Sequence, residues 1–175
     1  MIADEGYGRA SFSRIAERAG LSSTRLISYH FAGKDELIAA TAKDVMASVG
    51  TFMAEQLQGQ ESAAARLHAY IEGIVGFIDT HRAPMKALMA ILLAGGLDYD
   101  AATDRQVISP VEQILRDGQA TGEFGEFDPV IMATVIQRAV DGLPLLLGSM
   151  PDLDCTHYAR ELVALFRAGT VRSPS

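Results

Sequence analysis

The sequence predicts an all-α protein, and three observations support this fold class. Apolar residues recur at intervals of three and four along almost the whole chain, which is the spacing of an amphipathic helix. Sustained alternation of apolar and polar residues, which would indicate strands, is nearly absent, and the chain has no Trp. A hydrophobic content of 49% over 175 residues supplies enough apolar side chains for a real core.

Glycines, prolines and short polar segments divide this pattern into eight predicted helices. The divisions fall at Gly20, Gly33, Gly59, Pro84, "GGLDYD", "TGEFGEFDP" and "GSMPD". The predicted helices cover residues 12–19, 23–31, 34–58, 62–81, 84–94, 106–120, 128–149 and 155–168. Ser11 is placed to cap the first helix, and Asp128 followed by Pro129 to cap the seventh. Pro144 lies inside the seventh helix and should kink it.

Charge and cysteine content narrow the function classes. The net charge is −7, yet residues 1–50 hold six basic and six acidic side chains, so the excess of acid lies in residues 51–175. Nucleic acid, if it is a partner, should therefore bind the N-terminal fifty residues. Cys155 is the single cysteine, which excludes an internal disulfide framework and fits a reducing cytosol. No uninterrupted apolar run reaches the roughly 20 residues of a membrane-spanning helix, and a secretory signal pattern is absent, so we expect a cytoplasmic protein.

The first two predicted helices have the layout of a helix-turn-helix. The first carries one apolar stripe, formed by Phe12, Ile15, Ala16 and Ala19. On the second, the arc that holds Leu26, Ile27, His30 and Phe31 should be buried, and the opposite arc presents Thr24, Arg25, Ser28 and Tyr29. Gly20 turns the chain between them. In a helix-turn-helix the second helix enters the major groove of DNA, where Arg and hydroxyl groups read base edges. On geometry alone, any helical hairpin with a solvated face remains the alternative.

The segment "FSRIAERAGLSSTRLISYHFAGKDELIAA" closely resembles the DNA-binding segment of the TetR family of bacterial transcriptional regulators. The matching residues are Ile15-Ala16-Glu17, Ala19-Gly20-Leu21-Ser22, the triplet Tyr29-His30-Phe31, and Lys34 with Leu37. The resemblance implies a DNA-binding domain over residues 1–45 and a helical ligand-binding and dimerisation domain over residues 46–175. It also implies a repressor that binds a palindromic operator as a homodimer and is released by a small effector.

The resemblance assigns roles to individual residues. It implies phosphate contacts by Ser11, Ser13, Arg14 and Lys34, the last at the N-terminus of the long helix. The full set of expected DNA-binding residues is Ser11, Ser13, Arg14, Ser23, Thr24, Arg25, Ser28, Tyr29 and Lys34. Thr24 and Arg25 are the candidates for base readout, and His30 is expected to be packed in the interior. The turn carries one residue more than the commoner family pattern, so the base contacts could shift by one position.

The start of the chain departs from the family pattern. "MIADEGYGRASF" resembles only the last turn of the family's first helix and the "GY" that ends it. We expect that the start was assigned at an internal Met. The alternative is a ligand-binding helical dimer that has lost DNA binding together with this helix.

The remaining helices suggest a ligand cavity and a dimer interface. In the TetR family the corresponding helices enclose an apolar cavity, and the candidates for binding an apolar or aromatic effector are Tyr70, Phe77, His81, Met85, Met89 and Leu92. Simple core packing is the alternative for each of them. Helix 128–149 is apolar nearly all round and should be buried on two sides. Paired with the same two helices of a second subunit, this helix and the last one should form a four-helix dimer interface. Its predicted residues are Val135, Ile136, Val140, Leu143, Leu146, Leu162 and Phe166.

An enzyme on a helical scaffold is the less favoured alternative. The four histidines, His30, His68, His81 and His157, are scattered without the spacing of a metal site. A nucleophile elbow is also absent from the sequence. We therefore predict no catalytic residue, no metal and no cofactor.

Overall fold

The computed structural model describes residues 1–97 and 100–170, and within them it confirms the predicted all-α class. The elements are α1 (Ile2–Glu5), a 3-10 turn (Tyr7–Arg9), α2 (Phe12–Arg18), α3 (Arg25–His30), α4 (Lys34–Leu57), α5 (Ala63–Thr80), α6 (Arg82–Leu93), α7 (Ala101–Ala120), α8 (Pro129–Asp141), α9 (Leu143–Ser149) and α10 (Cys155–Thr170). The helices from α2 onward follow the predicted order, and most of their ends lie close to the predicted ones.

Two helix boundaries differ from the prediction, and each difference has a local cause. Helix α7 begins at Ala101 rather than at residue 106, because the Asp100 carboxylate accepts hydrogen bonds from the backbone N–H (2.8 Å) and the hydroxyl (2.9 Å) of Thr103. The predicted helix 128–149 is divided into α8 and α9 at Gly142. Pro144 lies in the first turn of α9, where its missing N–H costs nothing. The predicted kink is therefore a break.

The backbone contacts divide the chain into two compact units. The first comprises Met1–Ser48 and His81–Tyr99, and the second comprises Val49–Thr80 and Asp100–Ser175. Helix α4 contributes its first part to one unit and its last part to the other. The predicted boundary between a DNA-binding domain (residues 1–45) and a ligand-binding domain (residues 46–175) divides the chain by function, and it stays a prediction.

A small apolar cluster holds the first unit together. Ala10, Ile38 and Ile91 are buried at its centre. Partly buried side chains from both ends of the unit pack around them, namely Met1, Ile2, Tyr7 and Leu97. Helix α1 and the 3-10 turn pack against α6, and α2 packs against α3. The segment that precedes the helix-turn-helix is thus braced by a helix from much later in the chain.

Helix α5 is the centre of the second unit. It packs against α7 and α10, and α7 packs in turn against α8. The buried residues of α5 are Ala63, Leu67, Tyr70, Ile71, Gly73, Ile74, Val75, Phe77 and Ile78. Its N-terminus is capped from a distance, since the Glu123 carboxylate accepts the backbone N–H groups of Ala63 (3.2 Å) and Ala64 (3.1 Å). Buried Phe124, next in the chain, packs against Gly118 of α7.

Within residues 1–97 and 100–170, two segments are long and apolar enough by composition to cross a membrane, Lys34–Leu57 and Pro129–Ser149. Core helices of soluble proteins satisfy the same criterion, so composition alone is weak support for a span. Here α4 carries Lys43, Asp44 and Glu55. The second segment is broken at Gly142. Both features are typical of helices in a water-soluble fold.

Candidate nucleic-acid interface

The turn between α2 and α3 has a defined geometry that requires glycine. The Leu21 N–H donates to the Ala16 carbonyl (2.8 Å), and the Gly20 N–H donates to the Glu17 carbonyl (3.1 Å). This pair of bonds is a Schellman motif, with its left-handed residue at Gly20 (φ +68°). At the other end of α2, Ser11 occupies the predicted cap position and accepts the Arg14 N–H at 3.4 Å. Both ends of α2 are therefore set by side chains and turns that the sequence encodes locally.

Helix α3 buries a narrow face and exposes a broad one. Ile27 is buried and Phe31 is partly buried. The exposed side chains are Arg25, Leu26, Ser28, Tyr29 and His30. Leu26 and His30 were expected in the interior, and this expectation is wrong. A six-residue helix has too little length to bury an arc as wide as the one assigned on the helical wheel.

Two of the three predicted hydroxyl contacts at α3, those of Ser23 and Ser28, are engaged with nearby backbone groups. The Ser23 Oγ accepts the Arg25 N–H at 3.4 Å. The Ser28 hydroxyl donates to the Thr24 carbonyl at 3.1 Å, so it retains only acceptor capacity for a partner. Thr24 occupies the N-cap position without a side-chain cap bond. Among the described residues, the Arg25 guanidinium and the Tyr29 phenol form no hydrogen bond and are both exposed on α3.

The arginines of α2 form ion pairs with carboxylates of α1. Arg14 pairs with Glu5, and Arg18 pairs with Asp4 at 3.1 Å and with Glu5 at 3.7 Å. Arg14, a predicted phosphate contact, is thus exposed but already partnered. Ser13 beside it is exposed. These ion pairs attach the short α1 to the helix-turn-helix.

Lys34 begins α4, and its ammonium lies over an aromatic ring. The Lys34 Nζ is 4.3 Å from the ring centroid of Tyr7. The Tyr7 hydroxyl donates to the Asp35 Oδ1 at 2.7 Å, and the pKa of Tyr7 is raised, chiefly by this hydrogen bond. The Glu36 carboxylate accepts the Ala32 N–H at 2.6 Å. The two acidic side chains in the first turn of α4 are therefore occupied by donors from the chain itself.

Sequence reasoning missed several residues at this surface. Leu26 and His30 belong to the exposed arc of α3, and Arg9 is exposed on the 3-10 turn next to α2. The contact of Tyr7 with Lys34 was also missed. The one signal for it is the "GY" pair, which the resemblance placed at the end of the family's first helix without giving it a function.

The predicted effector residues are distributed over both units. Tyr70 and Phe77 lie buried on α5 in the second unit, and the rings of Phe77 and Phe52 are 5.4 Å apart. In the first unit His81 is exposed, Met85 is buried, and Met89 and Leu92 are partly buried. Two open surface grooves of about 570 and 660 Å³ are lined by other residues of the second unit. The effector assignment stays a prediction.

Tyr70 takes part in a buried hydrogen-bond network. Its hydroxyl donates to the Gln137 Oε1 (2.6 Å), and the Gln137 amide donates to the Asp141 Oδ1 (2.7 Å). Burial is the main cause that raises the pKa of both Tyr70 and Asp141. Arg138 pairs with Asp141 at 2.8 Å and with Asp104 of α7. The phenol that was expected to orient an effector is thus engaged by Gln137.

Most of the predicted dimer-interface residues lie in the interior of the subunit. Ile136, Val140, Leu143 and Phe166 are buried, whereas Leu146 and Leu162 are partly buried and Val135 is 51% exposed. A side chain with no exposed area in one subunit cannot contact another. Any surface that these helices offer to a partner must therefore be built from their exposed apolar residues, which are Val130, Ile131, Val135, Leu145 and Leu165.

Comparisons with known proteins agree with this geometry. A family model described as "Bacterial regulatory proteins, tetR family" matches residues 1–41. The HTH-type transcriptional regulator BetI of Escherichia coli O17:K52:H18 (strain UMN026 / ExPEC) is 34% identical over 151 residues, which are 85% of this chain and 73% of that protein. BetI of Cronobacter sakazakii (strain ATCC BAA-894) is 38% identical over 88 residues, and this match spans 43% of its length.

Solved structures show the same fold at low sequence identity. A bacterial regulatory protein in the tetR family from Rhodococcus RHA1 superposes with a TM-score of 0.84 at 20% identity, covering 99% of this chain and 92% of that one. The structure of AibR in complex with isovaleryl coenzyme A and operator DNA gives 0.79 at 19% identity, covering 94% and 90%. With the family model, the identity to the Escherichia coli regulator and the helix-turn-helix geometry in agreement, the chain belongs to the TetR family of bacterial transcriptional regulators.

Proposed function

We propose that this chain is a cytoplasmic, ligand-responsive repressor that binds a palindromic operator as a homodimer. The observation that carries the proposal is the exposed arc of α3, which presents Arg25 and Tyr29 to solvent. Lys34 follows at the start of the next helix, α4. Membership of the TetR family supports a regulator that is not an enzyme.

DNA would be bound by two kinds of contact. Arg25, at the N-terminal end of α3, can donate two hydrogen bonds to a guanine edge in the major groove. Lys34, Ser11 and Ser13 would contact phosphates and fix the register without reading sequence. Arg14 could join them only by giving up its ion pair with Glu5. The N-terminus of the long helix α4 adds its positive end to the pull of Lys34 on a phosphate.

The homodimer would form through the exposed apolar side chains of α8, α9 and α10. Val130, Ile131 and Val135 share one side of α8, and Leu145 and Leu165 project from α9 and α10. Five large apolar side chains exposed on neighbouring elements are unusual for a monomer and typical of an interface. A two-fold dimer would present two copies of α3 to the two half-sites of a palindrome.

The effector would be an apolar or aromatic molecule bound among the helices that follow the DNA-binding segment. Support comes from the Met-rich α6 and from AibR, a protein of the same fold that has been seen with isovaleryl coenzyme A. Ligand would shift the equilibrium toward a conformation with low operator affinity. A binding molecule should raise the melting temperature, and Met89→Trp should remove this shift while the fold persists.

The function is tested by selecting an operator from a random pool of DNA duplexes with the purified chain. Lys34→Ala should weaken binding to all sequences alike and flatten its salt dependence, because a phosphate contact carries no base information. Arg25→Ala should cost about 1–3 kcal/mol on the selected operator and relax the preference at one base pair per half-site. If no sequence is enriched, the repressor is rejected in favour of a ligand-binding dimer without DNA binding.

A further inference from the structure

Tyr7 contacts two separate parts of the first unit, the start of α4 and the segment beyond α6. Its hydroxyl bonds to Asp35 (2.7 Å), and its ring face lies 4.3 Å from the Lys34 ammonium. Its ring also packs closely on Gly96, beyond the end of α6, where an added Cβ would come within 2.7 Å of a ring carbon. Tyr7 is therefore held both by contacts of its ring and by its hydroxyl.

Lys34 is in an unusual electrostatic position. A cation at the N-terminus of an α-helix is repelled by the positive end of the helix dipole. Two carboxylates follow Lys34 directly, yet among the described residues Lys34 contacts the Tyr7 ring rather than forming an ion pair. Asp35 is occupied by the Tyr7 hydroxyl and Glu36 by the Ala32 N–H. The Lys34 ammonium is therefore attracted mainly by the electron-rich face of the Tyr7 phenol.

We propose that Tyr7 is a positioning residue for the phosphate contact of Lys34, and this inference rests on the DNA-binding function proposed above. The ring holds the flexible lysine side chain at the start of α4, which lowers the entropy that is lost when the ammonium meets a phosphate. The hydrogen bond to Asp35 has two effects. It increases the electron density of the ring, and it keeps the carboxylate from taking Lys34 as an ion-pair partner.

The first experiment needs no DNA. In the NMR spectrum of the chain, the ε-methylene protons of Lys34 should be shifted upfield by the Tyr7 ring relative to those of exposed Lys43. Tyr7→Phe keeps the ring but frees the Asp35 carboxylate to compete for Lys34, so it should retain part of the shift, whereas Tyr7→Leu should abolish it. Gly96→Ala should reduce the shift, because its Cβ displaces the ring. An unshifted Lys34 in the wild-type chain would overturn the arrangement itself.

The second experiment is a double-mutant cycle on DNA binding. Tyr7→Leu should weaken binding about two- to fivefold, equally for all sequences, and Tyr7→Phe, which keeps the ring without the hydroxyl, should have an intermediate affinity. In the Lys34→Ala background, Tyr7→Leu should have no further effect. Melting curves of all variants show whether each measured affinity comes from a folded protein.

The outcomes separate this inference from the function on which it rests. An equal loss from Tyr7→Leu in both backgrounds would overturn the inference, because Tyr7 would then act through the fold and not through Lys34. Full affinity of Tyr7→Leu, combined with a loss in Lys34→Ala, would also overturn it while leaving DNA binding intact. A wild-type chain that binds no DNA but shows the shifted Lys34 signal would reject the function together with the positioning role, and would leave the Lys34–Tyr7 contact as a structural one.

Discussion

Leu26 and Tyr29 give the exposed arc of α3 an apolar character beside the cation of Arg25. Leu26 is 57% exposed and Tyr29 is 82% exposed. In the major groove the apolar feature that distinguishes bases is the C5-methyl group of thymine. A side chain such as Leu26 can therefore contribute to base selection without any hydrogen bond, which a search for polar contacts overlooks.

The prediction at this scale concerns Leu26. Leu26→Ala should weaken operator binding by about 0.8 kcal/mol for each thymine methyl contact that is lost. Replacing the contacted thymine by uracil should cost the wild-type chain a similar amount and cost the Leu26→Ala variant nothing. Met46→Ala, which removes an exposed apolar side chain on α4, is the matched control. Equal sensitivity of both proteins to uracil would show that Leu26 does not touch the base.

Helix ends explain which parts of the fold a sequence can predict. The cap at Ser11, the glycine turn at Gly20 and the Asp128–Pro129 start are local signals, and the structure has them where they were expected. The cap of α5 is different, since Glu123 reaches its N-terminus from the far end of α7. A pairing between residues this far apart in sequence has no periodic signature. For the same reason, a helical wheel of α3 could not show that only a narrow arc of the helix packs against another part of the fold.

The carboxylate of Glu123 should make the free energy of unfolding depend on pH in the acidic range. Hydrogen bonds from the backbone of Ala64 and Ala63 lower the pKa of Glu123 below its ordinary value of 4.5. Its stabilising contribution is therefore fully present above pH 4.5 and is lost as the pH falls through the lowered value. The free energy of unfolding of Glu123→Gln, measured in urea, should lie below that of the wild type at pH 7 and approach it in acid. Glu126→Gln, an exposed neighbour, is the control.

Helix α7 should require glycine at Gly118, because Phe124 leaves no space there for a larger side chain. A Cβ added there would lie 2.2 Å from a ring carbon of Phe124, so Gly118→Ala should destabilise the chain by about 1–3 kcal/mol through overpacking. Gly76 is exposed in the middle of α5 with nothing within 4 Å of its added Cβ. Gly76→Ala should instead stabilise by up to about 1 kcal/mol, because alanine has the better helix propensity. Urea denaturation measures both, and equal effects of the two changes would contradict the close contact with Phe124.

For the whole molecule, the prediction concerns the oligomeric state and the dimer interface proposed on the exposed face of α8. Ile131→Glu should give a folded monomer, because it places an unpaired charge in the proposed interface without touching the core. Ile136→Glu should instead unfold the chain, since Ile136 has no exposed area. Leu93→Glu, at a side chain that is 70% exposed in the other unit, should leave the dimer unchanged. Light scattering with circular dichroism separates the three results, and a persistent Ile131→Glu dimer would place the interface elsewhere.

The ion pairs between α1 and α2 have a consequence for how such a regulator would find one site in a genome. Arg14 and Arg18 are already neutralised by Glu5 and Asp4, so an arbitrary stretch of DNA gains little by attracting them. Fewer released counterions mean weaker binding to random sequence and shorter residence at each wrong site. A protein with the proposed function would then search quickly and depend on its few base contacts for discrimination. The carboxylates of α1 would lower the background against which the operator is recognised.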